Sequence, residues 1–220
     1  MQPRRRVAVL ISGRGSNMQA LVAAAQTAGY PADIVLVASN RAEAAGLALA
    51  RQAGVPTAVV DHRPFGQDRV AFERALQALL DRHGIEFICL GGFMRLFTAD
   101  FVAHWHGRML NIHPSLLPSF KGLDPHGQAL RAGVKITGAT VHFVTPEMDA
   151  GPIVAQAAVP VQEDDTVETL AARVLAAEHR IYPMALRLVA EGRVRVADGR
   201  CSISGAAAGS DTLVVPRETS

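Results

Sequence analysis

Cysteine is scarce in this chain: Cys89 and Cys201 are the only two in 220 residues. Their separation makes no metal-ligand spacing and no disulfide framework. Aromatic residues are 5% of the sequence, which does not fit an aromatic-rich β-sandwich. No apolar run approaches the roughly 18 residues that cross a bilayer. Arg4-Arg5-Arg6 followed by Val7 to Ile11 imitates a signal peptide, but the run breaks at Gly13-Arg14-Gly15, too early for an h-region. Neither sign of charge dominates: 22 Lys and Arg against 20 Asp and Glu leave a formal charge of +2. Composition therefore gives no argument for nucleic acid as a partner. The expectation is a cytoplasmic protein with no membrane partner and no metal.

What the chain does have is small and aliphatic. Hydrophobic residues are 49%, charged residues 19%, and there are 19 glycines. That excludes a disordered polyelectrolyte and suits close packing of helices on a sheet. A chain of this length could bury roughly 70% of its unfolded surface in one core. The expected organisation is one domain over residues 1–198, with a first half to about residue 105 and a second from 106. Residues 199–220, rich in Gly, Ser and Ala, read as a mobile tail.

Val7–Ile11, Ile34–Ala38, Val55–Val60 and Phe87–Leu90 read as buried strands. Asn17–Ala28, Ala42–Ala53 and Gln67–His83 read as the helices between them, with Gly29, Gly54 and Gly84 as stops. Alternation of this kind predicts an α/β fold: a mostly parallel open sheet with helices on both faces. The second half adds strands at Met109–Ile112, Ile136–Val144 and Ile153–Val159, which make the C-terminal part partly antiparallel. A short helix at Gln128–Ala132 and a long one at Val167–Glu191 complete it. Pro183 inside the long helix removes a bond to the His179 carbonyl and predicts a bend. Val194–Val196 could be an edge strand.

Chemistry concentrates in the turns after strands. Ser12-Gly13-Arg14-Gly15-Ser16-Asn17 lies between a strand and a helix, where amides and a helix dipole meet an anion. It lacks the Lys of a P-loop and the third Gly of a dinucleotide fingerprint, so a lone phosphate fits better than a dinucleotide. The plainer reading is a tight turn with Ser16 or Asn17 as the helix cap. Asn111-Ile112-His113-Pro114 ends another strand. Alternation puts Asn111 and His113 on one side, an oxyanion donor beside a proton carrier, or else His113 simply satisfies a strand end. Asp149 either shapes its loop or, placed near His113, favours the imidazolium and orients the ring. His142 is a further candidate or a buried structural residue. Gly91-Gly92-Phe93-Met94-Arg95-Leu96-Phe97 either walls a flat apolar ligand or is an ordinary turn. The remaining histidines show no ligand spacing.

Together these pieces resemble one family, the folate-dependent phosphoribosylglycinamide formyltransferases of purine biosynthesis. The resemblance rests on Ile11 to Asn17, Gly92 to Arg95, Asn111 to Pro118, Thr140 to Val144, Asp149 to Pro152 and Glu178 to Pro183, in family order. It implies transfer of the formyl group of 10-formyltetrahydrofolate, as co-substrate, to the amine of phosphoribosylglycinamide. It also implies small-molecule substrates and a monomer or homodimer. Gly15, Ser16 and Asn17 would hold the phosphate, and Leu175, Ala176, Ala177 and Glu178 the ribose. Met94, Arg95, Leu96 and Phe97, with Thr145, Pro146, Glu147, Met148 and Asp149, would surround the pterin. Arg69 would touch the folate. Asn111, also at the folate, would form the catalytic set with His113 and Asp149. Asp124 and Ala150 depart from the family pattern. A tRNA formyltransferase or a formyltetrahydrofolate deformylase would carry a further domain, for which the length leaves no room. A non-enzymatic nucleotide-binding module would not require Asn111, His113 and Asp149.

Overall fold

The computed structural model of the chain describes residues 3–205 and 213–215. Its first strand, β1 (Arg5–Ile11), is buried from Val7 onward on both faces. Alternation splits those side chains: Val7, Val9 and Ile11 enter one apolar cluster, Ala8 and Leu10 the other. A strand covered on both sides has no polar face, which is why it reads as a continuous aliphatic run. Each fully buried Val, Leu or Ile contributes about 1.5–3 kcal/mol.

Around β1 lie β2 (Ala32–Ser39), β3 (Thr57–Val59), β4 (Phe87–Leu90) and β5 (Met109–His113), all parallel. Two antiparallel strands follow, β6 (Ile136–Phe143) and β7 (Ile153–Pro160). The sheet order is β3-β2-β1-β4-β5-β6-β7. The order reverses beside β1, so the carboxyl ends of β1 and β4 open a crevice where open α/β sheets bind ligands.

Helices α1 (Ser16–Ala25), α2 (Ala45–Gln52) and α6 (Val167–Ala190) pack on the β1 face bearing Val9 and Ile11. Helices α3 (Arg69–Arg82) and α4 (Ala99–His104) cover the opposite face through Phe72, Leu76, Leu80, Phe101 and Val102. A short α5 (Pro125–Ala132) precedes β6. Helix α6 starts at a Thr166/Thr169 capping box and runs on past Pro183 to Ala190. Tyr30 donates to the Pro183 carbonyl at 2.7 Å.

Three features differ from the sequence expectation. Helix α4 was not anticipated; its six residues, capped by Thr98, are too few to show a period. The edge strand β8 (Val194–Ala197) pairs with β9 (Arg200–Ile203) in a separate two-stranded sheet. The segment expected as a mobile tail thus begins as a strand, with Cys201 packed on the core cluster. Of that segment, residues 206–212 and 216–220 lie outside the described residues. Among the described residues no helix is long and apolar enough to cross a membrane.

Candidate active site

The turn after β1 is built on glycine. Gly15, not Ser16 or Asn17, is the cap residue of α1; it adopts φ 77° and makes no side-chain cap bond. The correction has a physical reason: a glycine cap leaves the first amides of α1 free of side-chain oxygens and open to an external anion. A Cβ on Gly15 would stand 2.8 Å from the Gly46 Cα. Gly46, early in α2, donates its N–H to the Gly13 carbonyl at 3.0 Å. Nothing near Gly46 in sequence signals this support, because its partner lies over thirty residues away.

The turn forms one wall of a cleft of about 610 Å³. Gly91 and Gly92 after β4, Pro114 after β5, His126 of α5 and the N-terminal half of α6 form the rest. Of the four α6 residues expected at the ribose, Leu175 and Glu178 line the cleft, joined by Ala171 and Ala172. Ala176 is exposed and Ala177 packs on the core cluster. Four consecutive helical residues spread around the axis, so one cleft takes side chains from positions 171, 175 and 178 instead.

Glu178 is buried and its Oε2 accepts from Asn17 Nδ2 at 2.6 Å. Burial pushes its carboxyl above the ordinary range, against the lowering effect of the Asn17 amide. His126, on α5, also lines the cleft. Burial pushes its imidazole below the usual value, and its Nδ1 is buried without a partner. The sequence reading set His126 aside because it has no ligand spacing. Asp124 beside it caps α5, accepting from Gly127 N–H at 3.1 Å. That departure from the family pattern is therefore a helix cap, with an exposed ion pair to Arg131.

Asn111 and His113 lie at the end of β5, and Asp149 reaches them from the β6–β7 loop. His113 Nδ1 is 3.4 Å from Asp149 Oδ2, both side chains being more than nine-tenths buried. His113 Nε2 is 2.9 Å from the Phe120 carbonyl. An imidazolium can donate to both; either neutral tautomer donates to one. Asp149 adopts φ 52° and accepts from Gly122 N–H at 2.9 Å. Gly151 follows because a Cβ there would overlap the Phe143 carbonyl oxygen at 1.8 Å.

His142 faces Asn111 across the β5–β6 pair. Its Nδ1–H donates to the Phe143 carbonyl at 2.9 Å, leaving Nε2 to accept from Asn111 Nδ2 at 3.2 Å. Burial is the main cause that lowers its pKa, which keeps the ring neutral and able to accept. One amide N–H of Asn111 is thereby fixed, which sets the direction of the other.

The loop after β4 alternates. Phe93 and Phe97 stack at 5.4 Å, and Phe97 stacks on Phe101 at 4.6 Å. Met94 and Leu96 point outward, 65% and 59% exposed. Arg95 lies over the Phe72 ring of α3 at 4.9 Å, one turn along from the exposed Arg69. In the β6–β7 loop, Thr145 Oγ1 donates to the Glu147 carbonyl at 3.1 Å, while Pro146, Glu147 and Met148 are exposed. Met148, Met94 and Leu96 thus offer apolar surface on the two loops that leave β4 and β6.

Comparison with known proteins gives a consistent result. Residues 5–186 match the formyl transferase family model. The chain is 53% identical over 199 residues to the trifunctional purine biosynthetic protein adenosine-3 of Bos taurus, covering 90% of this chain. It spans 20% of that relative's length. It is 43% identical over 199 residues to the phosphoribosylglycinamide formyltransferase of Escherichia coli (strain K12), covering 90% of this chain and 93% of that protein. The crystal structure of glycinamide ribonucleotide transformylase 1 from Symbiobacterium toebii superposes with a TM-score of 0.89 at 47% identity, covering 92% of this chain and 95% of that one.

Proposed function

The chain belongs to the formyl transferase family, and from that premise we propose that it transfers the formyl group of 10-formyltetrahydrofolate to the amine of 5-phosphoribosylglycinamide. The products are phosphoribosyl-N-formylglycinamide and tetrahydrofolate, in purine biosynthesis. The observation that carries the reading is the convergence of Asn111, His113 and Asp149 beside the cleft that holds the glycine turn and Glu178.

In this reading the phosphate sits on the amides of Gly15, Ser16 and Asn17. Glu178, buried and tied to Asn17, accepts from the ribose hydroxyls. The pterin lies between the Met94 to Phe97 loop and the Thr145 to Asp149 loop, with Arg69 toward the far end of the folate. The amine nitrogen attacks the formyl carbon, and the carbonyl oxygen becomes an oxyanion. Asn111 donates to that oxygen, and so does the His113 Nε2–H, which exchanges the Phe120 carbonyl for it while Nδ1–H stays on Asp149. His113 then protonates folate N10 as its bond to carbon breaks, and the proton lost by the attacking amine restores the balance. Asp149 holds the imidazolium in place. Orientation of the two reactants supplies much of the remaining acceleration. The reaction is set in the cytoplasm, with small-molecule partners only, in a monomer or homodimer.

The test is an absorbance assay for folate product with three acceptors: phosphoribosylglycinamide, water and methionyl-tRNA. Turnover with the first alone is expected. Turnover with water or tRNA in its place overturns the reading.

A further inference from the structure

Ser12 stands between the segment proposed for the phosphate and the loop proposed for the pterin. It follows β1 and opens the glycine turn, and it is 8% exposed. Its hydroxyl donates to Asn40 Oδ1 at 2.6 Å and accepts from the Met94 N–H at 2.8 Å. Asn40, 2% exposed, follows β2. The adjacent strands β2, β1 and β4 thus contribute one buried polar chain at their carboxyl ends: Asn40, Ser12, Met94. Asn40 is itself held, its carbonyl lying 2.8 Å from His62 Nδ1.

The loop this chain grips packs on the core through Phe93 and Phe97 and on Phe72 through Arg95, and its backbone is hydrogen-bonded at both edges. Gly91 N–H donates to the Leu10 carbonyl at 2.8 Å, and Thr98 N–H donates to the buried Glu73 at 2.6 Å. Between those edges, Met94 N–H to Ser12 is the hydrogen bond that ties the loop backbone to the turn after β1. A hydroxyl suits the place because it must accept from one buried group and donate to another.

We propose that Ser12 is the positioning residue for the folate loop: through the Met94 N–H it sets the height of Met94 to Phe97 above the pterin. The inference rests on the formyl-transfer reading. Ser12→Ala leaves Asn40 Oδ1 unpaired in a buried place and Met94 N–H unpaired in a partly buried one. The loop then samples other positions, and binding of folate pays for its return.

The test is steady-state kinetics with both substrates varied. Ser12→Ala is expected to raise KM for 10-formyltetrahydrofolate about 10-fold, the worth of one such hydrogen bond. KM for phosphoribosylglycinamide and kcat should stay within about threefold of wild type, within what loss of a single remote contact leaves unchanged. Ser12→Thr, which keeps the hydroxyl, should recover most of the folate KM. A fall in melting temperature with both KM values unchanged would mean a purely structural residue and overturn the proposal, as would equal losses for both substrates. If Ser12→Ala does not fold, Ser12→Cys, nearly isosteric and a poor acceptor, reads the same split. A wild-type chain inactive with phosphoribosylglycinamide would instead sink the formyl-transfer reading and is distinguishable at once.

Discussion

Single residues carry the chemistry through what surrounds them. Asp149 matters because it is buried against His113, and that burial comes from its positive φ and the Gly122 amide. Asp149→Asn should cut kcat by about two to four orders of magnitude, the range of general acid–base catalysis, with both KM values little changed. Glu178 is a second case. Its raised pKa means that the folded protein binds this proton more readily than the unfolded chain. The group therefore costs stability that is absent below the unfolded pKa and grows as pH rises toward the folded one. Only the ionised form accepts from two hydroxyls, so KM for phosphoribosylglycinamide should rise as pH falls through the raised pKa. Glu178→Gln should flatten that profile and raise KM about 10- to 100-fold. Gly15→Ala, with φ 77° and Gly46 in the way, should cost about 1–3 kcal/mol in denaturant unfolding as well as nucleotide binding. The sequence made Gly15, His113 and Asp149 visible as types of residue in turn positions. It left Gly46 and His126 unseen, and showed Ser12 only as part of the turn, because their importance lies in partners distant in the chain.

Elements place those residues, and their limits explain what was harder to read. Strands β1 and β4 announce themselves by aliphatic runs because both faces are covered. The hairpin β8–β9 also had a signal: Asp198-Gly199, both at positive φ, is the favoured two-residue hairpin turn. The Gly, Ser and Ala composition around it hid that signal. Helix α6 joins the sheet to the site. Tyr182, fully buried, has its hydroxyl 3.0 and 3.1 Å from the Leu90 carbonyl of β4 and the Leu110 carbonyl of β5, and its one O–H is shared between them. Tyr182→Phe should lower stability by about 0.5–1.5 kcal/mol, since it removes a buried hydrogen bond that clamps the helix to the sheet. Urea unfolding would measure it, and a change below about 0.3 kcal/mol would contradict the clamp.

At the scale of the molecule, the reversal of strand order beside β1 gathers everything else. Parallel β1, β4 and β5 aim their carboxyl ends at one edge, antiparallel β6 sets His142 opposite Asn111, and the β6–β7 loop brings Asp149 to His113. The α/β alternation made the parallel part legible. Which loops meet at that edge depends on strand order, which local patterns do not encode. The most direct measurement is a crystal structure of the chain with phosphoribosylglycinamide and a 10-formylfolate analogue that cannot transfer its group. The account predicts phosphate on the amides of Gly15 to Asn17, pterin under Met94 to Phe97, and the amine within about 3.5 Å of the formyl carbon beside Asn111 and His113. A folate bound away from both Met94 to Phe97 and His113, or a phosphate bound away from the Gly15 to Asn17 amides, would contradict it.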